Sequence, residues 1–213
     1  MVSAILMMAG SGSRMNINEN KIFLTLGDKM VYEYSLDLFL KYQLEVICVI
    51  REEDYKYLKK YEGKVKIAIG GATRQQSVYH GLEAASGEYV LIHDAARPFL
   101  SETILEDCLK AIKEKNAFLV VAPCKDTIYE RNPLKVLKRD AYALAQTPQG
   151  GLKKELLECH QKALDERIEV TDDISLIVKY GTSLIKLIEG SDQNFKITTQ
   201  LDYIIAKEWI KND

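Results

Sequence analysis

The chain has little of what defines several common classes of protein. Its 213 residues include only four cysteines, three histidines and four prolines. The cysteines form no C-x-x-C pair, which argues against a zinc site and against a disulfide framework. No apolar run is long enough to span a bilayer, and 29 Lys and Arg against 31 Asp and Glu leave no basic excess. We therefore expect a reduced, cytoplasmic protein that binds neither nucleic acid nor membranes.

Short apolar runs alternate with longer amphipathic segments along most of the chain. The runs predict strands at Val2–Met8, Glu45–Ile50, Val65–Ile69, Tyr89–His93, Phe118–Ala122 and Ser183–Glu189. The segments predict helices at Met30–Lys41, Glu53–Tyr61, Gln75–Ala85, Glu102–Lys115, Lys153–Leu164, Asp172–Tyr180 and Gln200–Ile210. This alternation is typical of a three-layer, Rossmann-like α/β fold with a mostly parallel sheet. Because no linker or repeat interrupts it, we predict one domain over residues 1–213.

The alternation breaks between Lys125 and Gln149. Two short strand-like pieces flank Asn132-Pro133, and this predicts a hairpin. A hairpin with so few apolar residues needs a surface to pack against. We interpret residues 125–149, called the arm below, as an insertion that packs on a second subunit of a homodimer.

A glycine-rich loop follows the first apolar run. The run Val2–Met8 continues into Ala9-Gly10-Ser11-Gly12-Ser13-Arg14-Met15, and Lys21 lies just beyond. Successive backbone N–H groups in such a loop form an anion site, to which Arg14 and Lys21 add two cations. The loop lacks the third glycine of a dinucleotide fingerprint and the Gly-Lys-Ser/Thr of a P-loop. On this loop alone, polyphosphate binding and an ordinary turn with a solvated Arg14 are equally good interpretations.

Two further motifs follow strands that are predicted to end at the same edge of the sheet, where ligands of such folds bind. Gly70-Gly71 opens a helix and permits close approach of a ligand. Ser77 on that helix either faces the strand ends or is bonded locally. Asp94 suits a ribose hydroxyl or a metal-bound phosphate, or else it pairs with Arg97 to order its loop.

Three more pieces carry polar groups that are typical of structural roles when taken one at a time. Thr171 is predicted to cap the helix that follows it. Thr147-Pro148-Gln149 ends the arm. Lys196 lies in the segment before the last predicted helix.

In this order and spacing, the motifs closely resemble those of the 2-C-methyl-D-erythritol 4-phosphate cytidylyltransferases of the non-mevalonate isoprenoid pathway. The matching pieces are A-G-S-G-S-R-M with Lys21, G-G-A-T-R-Q-Q-S-V, H-D-A-A-R-P, D-T, R-D-A-Y-A-L-A-Q-T-P-Q, T-D-D and E-G-S-D-Q-N-F-K-I-T. The resemblance implies a fold of the nucleotide-diphospho-sugar transferase type. It also implies a Mg²⁺-dependent enzyme that transfers CMP from CTP to a polyol phosphate, with an arm that completes the neighbouring site of a dimer.

The resemblance implies a role for each matched residue. Arg14 and Lys21 would stabilise charge on the α-phosphate, while Arg139 and Lys196 would hold the incoming phosphate. The implied contacts to the cytidine end of CTP are Met8, Ala9, Gly10, Ser11, Gly12, Gly71, Ala72 and Ser77. The implied contacts to the polyol phosphate are Asp94, Arg97, Thr127, Thr147 and Thr171. Mg²⁺ is implied to lie mainly on the CTP phosphates, with Asp94 as a candidate ligand.

Two positions depart from the usual family motifs, and two alternative functions stay open. Asn20 stands where proline usually precedes the loop lysine, so we expect a looser loop around Lys21, and Ala72 stands where an acidic residue is common. Related ribitol 5-phosphate cytidylyltransferases share the motifs, but Ala96 and Ser77 favour methylerythritol phosphate. The other alternative is a catalytically silent nucleotide-binding protein. The retained cations that argue against it are Arg14, Lys21, Arg139 and Lys196.

Overall fold

Apolar side chains on both faces bury the first strand at the centre of the fold. The computed structural model describes residues 1–10 and 20–211. Its strands are β1 (Val2–Met7), β2 (Thr25–Leu26), β3 (Lys29–Met30), β4 (Glu45–Ile50), β5 (Lys66–Ile69), β6 (Tyr89–Asp94), β7 (Ala117–Pro123), β8 (Ile128–Glu130), β9 (Lys135–Leu137), β10 (Ala143–Leu152) and β11 (Ile185–Glu189). Its α-helices are α1 (Val31–Lys41), α2 (Arg74–Ala84), α3 (Glu102–Lys113), α4 (Lys153–Asp165), α5 (Ile174–Tyr180) and α6 (Gln200–Lys211).

One seven-stranded sheet organises these elements in the order β11-β7-β10-β6-β1-β4-β5. Neighbouring strands are parallel except β10, which is antiparallel to both β6 and β7. Helices α1 and α3 pack on one face, where Leu6 contributes to the core, and α2, α4 and α5 pack on the other, around Ile5. Covering both faces requires near-continuous apolar strands, and the predicted three-layer α/β fold is confirmed.

Most predicted elements are present with ends shifted by one or two residues, but two differ in kind. The segment predicted as a helix at Glu53–Tyr61 is a 3₁₀ helix at Glu52–Tyr61. Strand β10 was not predicted, although it lies between β6 and β7. Gly150 fits this position because a Cβ atom there would lie 2.1 Å from the carbonyl oxygen of Val90. The polar, glycine-containing sequence of β10 carries little strand propensity, so burial within the sheet decides the conformation of this strand.

The predicted cap of α5 is also different. Helix α5 begins at Ile174, and the Asp172 carboxylate accepts a hydrogen bond from the Ser175 N–H at 2.8 Å. Thr171 is exposed and lies two residues before the N-cap residue, Asp173. The side chain of Asp173 makes no capping hydrogen bond, and the Asp172 carboxylate one residue earlier suits the positive end of the helix dipole, so Thr171 is not the cap.

The arm leaves the sheet and returns to it at neighbouring points. Pro123 of β7 pairs with Ala143 of β10, and β8 and β9 form a separate hairpin between them. The hairpin exposes Tyr129, Leu134 and Val136, which are 55%, 78% and 58% accessible. From Ala143 onward the arm belongs to the central sheet. In the described part of the chain, we find no helix with the length and apolarity that crossing a bilayer requires.

Candidate active site

A cavity of about 380 Å³ lies at the carboxyl ends of β1 and β6. Its wall consists of residues 7–10, 20–22 and 71–74, with Ser77, Asp94, Ala96 and Lys196. Among the described residues, the charged members of this wall are three cations, Lys21, Arg74 and Lys196, and one carboxylate, Asp94, while Arg74 also pairs with Asp173 behind the wall. The excess of positive charge in a concave site favours an anionic ligand.

Asp94 is the electrostatic centre of this wall. Its Oδ2 atom accepts a hydrogen bond from Lys196 Nζ at 2.8 Å, and its Oδ1 atom lies 3.9 Å from Arg74 Nε. Arg97 Nε lies 3.8 Å from Oδ2. Burial acts to raise the pKa of Asp94, but the charges of Lys196, Arg74 and Arg97 outweigh it and hold that pKa below its ordinary value. The carboxylate is therefore ionised at neutral pH and fixes the position of the lysine.

A buried hydrogen-bonded chain supports Asp94 from the interior. The Asp94 N–H donates to Thr147 Oγ1 at 3.1 Å, and Thr147 Oγ1 lies 3.0 Å from His93 Nδ1. His93 Nε2 lies 3.1 Å from the carbonyl oxygen of Arg97. These partners assign the proton to Nε2, because the Thr147 hydroxyl donates to Nδ1 and a carbonyl only accepts. Burial lowers the pKa of His93 to about 4, so the ring is neutral at pH 7.

The segment that carries Lys196 is tied to the same structure. Asn194 is fully buried, and its side-chain Nδ2 donates to the Thr147 carbonyl at 2.8 Å. Arg97 Nη1 donates to the Asn194 carbonyl at 2.6 Å. The Ile197 N–H donates to the Ala96 carbonyl at 2.8 Å. Lys196 is thus held between two anchored neighbours. We call His93, Asp94, Thr147, Asn194 and Lys196 the floor of the cavity.

The second glycine loop lies against the first. A Cβ atom on Gly70 would lie 2.6 Å from the Cβ of Ala9, the residue that enters the first loop, so Ala9 leaves no room for a side chain at Gly70. Ser77 Oγ accepts from the Gly71 N–H at 3.0 Å and donates to the Thr73 carbonyl at 2.9 Å. Both interpretations of Ser77 therefore hold in part, because the hydroxyl is bonded locally and the residue lines the cavity.

Sequence reasoning missed Arg74 and its partner Asp173. Arg74 Nη1 and Nη2 donate to the two carboxylate oxygens of Asp173 at 3.0 and 2.7 Å. Asp173 is fully buried, and Gln149 Oε1 accepts its N–H at 2.9 Å. Burial acts to raise the pKa of Asp173, but Arg74 and His160 outweigh it and lower that pKa. A cation at the first residue of a helix opposes the dipole, and this was the available signal for Arg74.

The structure places the predicted site residues in three groups. Those that line the cavity are Met8, Ala9, Gly10, Lys21, Gly71, Ala72, Ser77, Asp94 and Lys196. Arg97 and Thr147 contact Asp94 from behind the wall. Thr127, Arg139 and Thr171 are exposed and are not among the described residues of the wall. The predictions for Ser11, Gly12 and Arg14 concern residues outside the described ranges.

Comparisons with known proteins agree with this arrangement. The family described as IspD, 2-C-methyl-D-erythritol 4-phosphate cytidylyltransferase, matches residues 2–212. A Bacillus cereus protein of that name is 36% identical, covering 99% of this chain and 98% of its own length. One from Clostridium novyi is 38% identical, covering 98% and 96%.

Solved structures give the same result. The crystal structure of 4-diphosphocytidyl-2C-methyl-D-erythritol synthase from Anaerococcus prevotii superposes with a TM-score of 0.86 at 31% identity, covering 99% of this chain and 98% of that one. The structure of 2-C-methyl-D-erythritol 4-phosphate cytidylyltransferase from Thermus thermophilus superposes with a TM-score of 0.81 at 32% identity, covering 97% and 98%. The chain belongs to the 2-C-methyl-D-erythritol 4-phosphate cytidylyltransferase family and is a nucleotidyltransferase.

Proposed function

We propose that this chain transfers CMP from CTP to 2-C-methyl-D-erythritol 4-phosphate at the cavity over the strand ends. The observation that carries the proposal is one cavity lined by Lys21, Arg74 and Lys196, in which Lys196 and Arg74 act on the ionised Asp94. Family membership supports the identity of both substrates.

The chemistry needs charge neutralisation more than proton transfer. A phosphate oxygen of the polyol phosphate attacks the α-phosphorus of CTP, and the bond from that phosphorus to the bridging oxygen breaks to release pyrophosphate. A phosphate monoester has a second pKa of about 6 and is already ionised at neutral pH, so no general base is required. Two anions must approach each other, and preorganised cations lower the barrier to that approach.

We assign the cations to the two reacting phosphates. Lys21 and Arg14 stabilise the charge that develops on the α-phosphate. Lys196, oriented by Asp94 at 2.8 Å, holds the incoming phosphate together with Arg139. Arg97 and Thr147 act on the polyol side through Asp94, and Thr127 and Thr171 complete that side.

We assign the cytidine end of CTP to the two glycine loops. The groups concerned are Met8, Ala9, Gly10, Ser11, Gly12, Gly71, Ala72 and Ser77. Backbone N–H and C=O groups at close approach read a base edge without long side chains. Gly70 packs directly against Ala9, where a Cβ atom would lie 2.6 Å from the Cβ of Ala9, so the two segments form one continuous wall for the base.

The residues present fit a Mg²⁺ ion held mainly by the substrate. Within the described residues, no group of three or more His, Cys, Asp or Glu side chains forms a metal site. Mg²⁺ in such enzymes is commonly bound by one or two carboxylates plus substrate phosphates, and Asp94 supplies a carboxylate in the wall. When bound, the ion neutralises charge on the CTP phosphates.

We further propose one domain over residues 1–213, whose arm over residues 125–149 dimerises. Support comes from the exposed Tyr129, Leu134 and Val136, because a lone hairpin with outward apolar residues is marginal in water. Thr127 and Arg139 are exposed in their own chain, and Arg139 Nη1 donates to the Lys125 carbonyl at 2.7 Å. In a two-fold dimer these residues serve the partner's cavity.

A pyrophosphate-release assay tests the function. We expect turnover with CTP and 2-C-methyl-D-erythritol 4-phosphate, and much lower turnover with UTP, ATP or GTP. Replacing the acceptor with ribitol 5-phosphate should abolish most of the activity. Preference for ribitol 5-phosphate would reassign the acceptor, equal use of ATP and CTP would contradict cytidylyl transfer, and no release with any pair would indicate a silent nucleotide-binding protein.

A further inference from the structure

We propose that Asn20 is a positioning residue, which fixes the base of the first glycine loop and thereby sets the position of Lys21 in the cavity. The inference rests on the proposed function, because Lys21 is the cation that it positions. It concerns the position at which the motif resemblance leads us to expect a proline, and at which this chain has asparagine.

The side chain of Asn20 joins two separate backbone segments. It is only 3% exposed. Its Nδ2 donates to the Met8 carbonyl at the end of β1, at 2.9 Å. Its Oδ1 accepts from the Ile22 N–H at 3.4 Å and so caps the short 3₁₀ helix Lys21–Phe23. One amide therefore links the residue that enters the glycine loop with the turn that carries the lysine.

Aromatic contacts fix the other end of the same turn. Phe23 stacks on Tyr57 with ring centroids 3.9 Å apart, and it meets Tyr32 edge to face at 5.6 Å. The Tyr32 hydroxyl donates to the Tyr57 backbone carbonyl at 2.7 Å, which ties the Tyr32 side chain to the main chain of Tyr57. Lys21 lies between the Asn20 cap and this aromatic cluster, is 8% exposed and lines the cavity. Both ends of its turn are anchored.

The amide serves in place of a proline ring. Asn20 has φ of −68° and ψ of 122°, and a proline ring fixes φ near −65°. The backbone at this position is therefore one that proline adopts without strain. Here two directional hydrogen bonds, to Met8 and Ile22, restrain Asn20 instead.

Steady-state kinetics of three substitutions test the proposal. Asn20→Ala removes both bonds, and we expect kcat to fall roughly ten- to hundredfold with a smaller change in the KM for CTP, because a misplaced group acts mainly on the transition state. Asn20→Asp keeps the acceptor for Ile22 but turns a carboxylate oxygen toward the Met8 carbonyl, so it should lose at least as much. Asn20→Pro fixes φ by its ring and should recover most of what Asn20→Ala loses.

Ser3→Ala is the matched control for general destabilisation. Ser3 is fully buried at the opposite end of β1, where its hydroxyl bonds to Glu45 and accepts the Gly87 N–H at 2.8 Å. Like Asn20→Ala, this substitution removes two buried hydrogen bonds. We expect it to lower the melting temperature and to leave kcat unchanged.

A double-mutant cycle with Lys21→Ala identifies the route of the effect. If Asn20 acts through Lys21, Asn20→Ala should change kcat little in the Lys21→Ala background. Wild-type kcat in Asn20→Ala, the same loss in both backgrounds, or an Asn20→Pro variant no better than Asn20→Ala would each overturn the proposal. An unmodified chain without cytidylyltransferase activity would instead contradict the proposed function.

Discussion

The floor of the cavity and the β8–β9 hairpin of the arm differ in how far their bonding is completed within one chain. In the floor, His93 and Asn194 are fully buried, and each makes side-chain hydrogen bonds to another part of the fold. In the hairpin, the side chains of Tyr129 and Leu134 are 55% and 78% exposed. The floor is held by side-chain hydrogen bonds within its own chain, whereas the hairpin exposes apolar surface, and the predicted site residue Arg139, just after β9, is also exposed.

The difference teaches where a second chain is needed. Buried polar groups hold their positions when their partners are present. The hydrogen bonds that join the floor residues to one another lie within residues 93–197, and Asn194 Oδ1 is the floor atom that the described residues leave without a partner. An exposed hairpin gains stability by burying its apolar side chains against another surface. We therefore expect the floor to keep its structure when the hairpin is deleted. We expect the enzymatic activity to be lost.

Deleting the hairpin should have the largest effect. Because Pro123 and Ala143 are paired neighbours, a short Gly-Ser bridge can replace residues 125–139 without reaching across the fold. We expect a folded monomer by sedimentation and circular dichroism, with no measurable pyrophosphate release. A deletion variant that keeps its activity would show that the site is complete without the hairpin.

Mixing two inactive variants sharpens the comparison. Lys21→Ala should lower turnover by roughly 10²–10³, as expected for loss of one preorganised cation, with a smaller effect on CTP binding. Arg139→Ala should also reduce turnover. If Lys21 and Arg139 of one site come from different chains, each mixed dimer regains one working site of two.

The control for this experiment removes one positive charge, as each of the two variants does, but at a position far from the cavity. Lys186→Ala removes a surface lysine that pairs with Glu114 at 2.9 Å, and it should leave turnover unchanged. Activity that stays at the level of the separate variants, despite demonstrated subunit exchange, would assign Arg139 to its own chain.

The pH dependence of unfolding tests the buried ionisable groups in and beside the floor. The pKa of His93 is lowered to about 4 by burial, whereas the unfolded side chain titrates near 6.5. The unfolded state therefore binds a proton first as pH falls, so stability is complete above about pH 6.5 and declines toward pH 4, by about 3 kcal/mol. The lowered pKa values of Asp94 and Asp173 add a further loss below about pH 4.

Replacing His93 isolates the contribution of this residue to the decline of stability with falling pH. His93→Gln retains a donor and an acceptor without a titrating ring, so the free energy of unfolding should vary less between pH 6.5 and 4. The exposed His80 provides the control, since His80→Gln removes one histidine without touching the floor. An unchanged slope in His93→Gln would mean that other groups set the acid stability.

The sequence indicated which strand ends meet, but not how they are supported. Asp94 and Gly71 follow apolar runs that predict parallel strands, so their proximity could be predicted. The pairing of Arg74 with Asp173 joins residues 99 positions apart, and His93 with Thr147 joins residues 54 apart. No local propensity encodes such contacts. They depend on β10, whose place beside β6 is decided by tertiary burial, and β10 also carries Thr147.

The smallest expected effect on the chain itself comes from the tip of the hairpin. Leu134 is 78% exposed in the single chain, so Leu134→Ser should change the free energy of unfolding of the monomer by less than about 0.5 kcal/mol. Burial of a leucine against a partner is worth roughly 1.5–3 kcal/mol, so the dimer dissociation constant should rise by about tenfold or more. Leu184→Ser is the matched control, because Leu184 is 79% exposed just before β11. A dimer equally stable in both variants would remove Leu134 from the interface, whereas a selective loss in Leu134→Ser would establish that the second chain covers the hairpin.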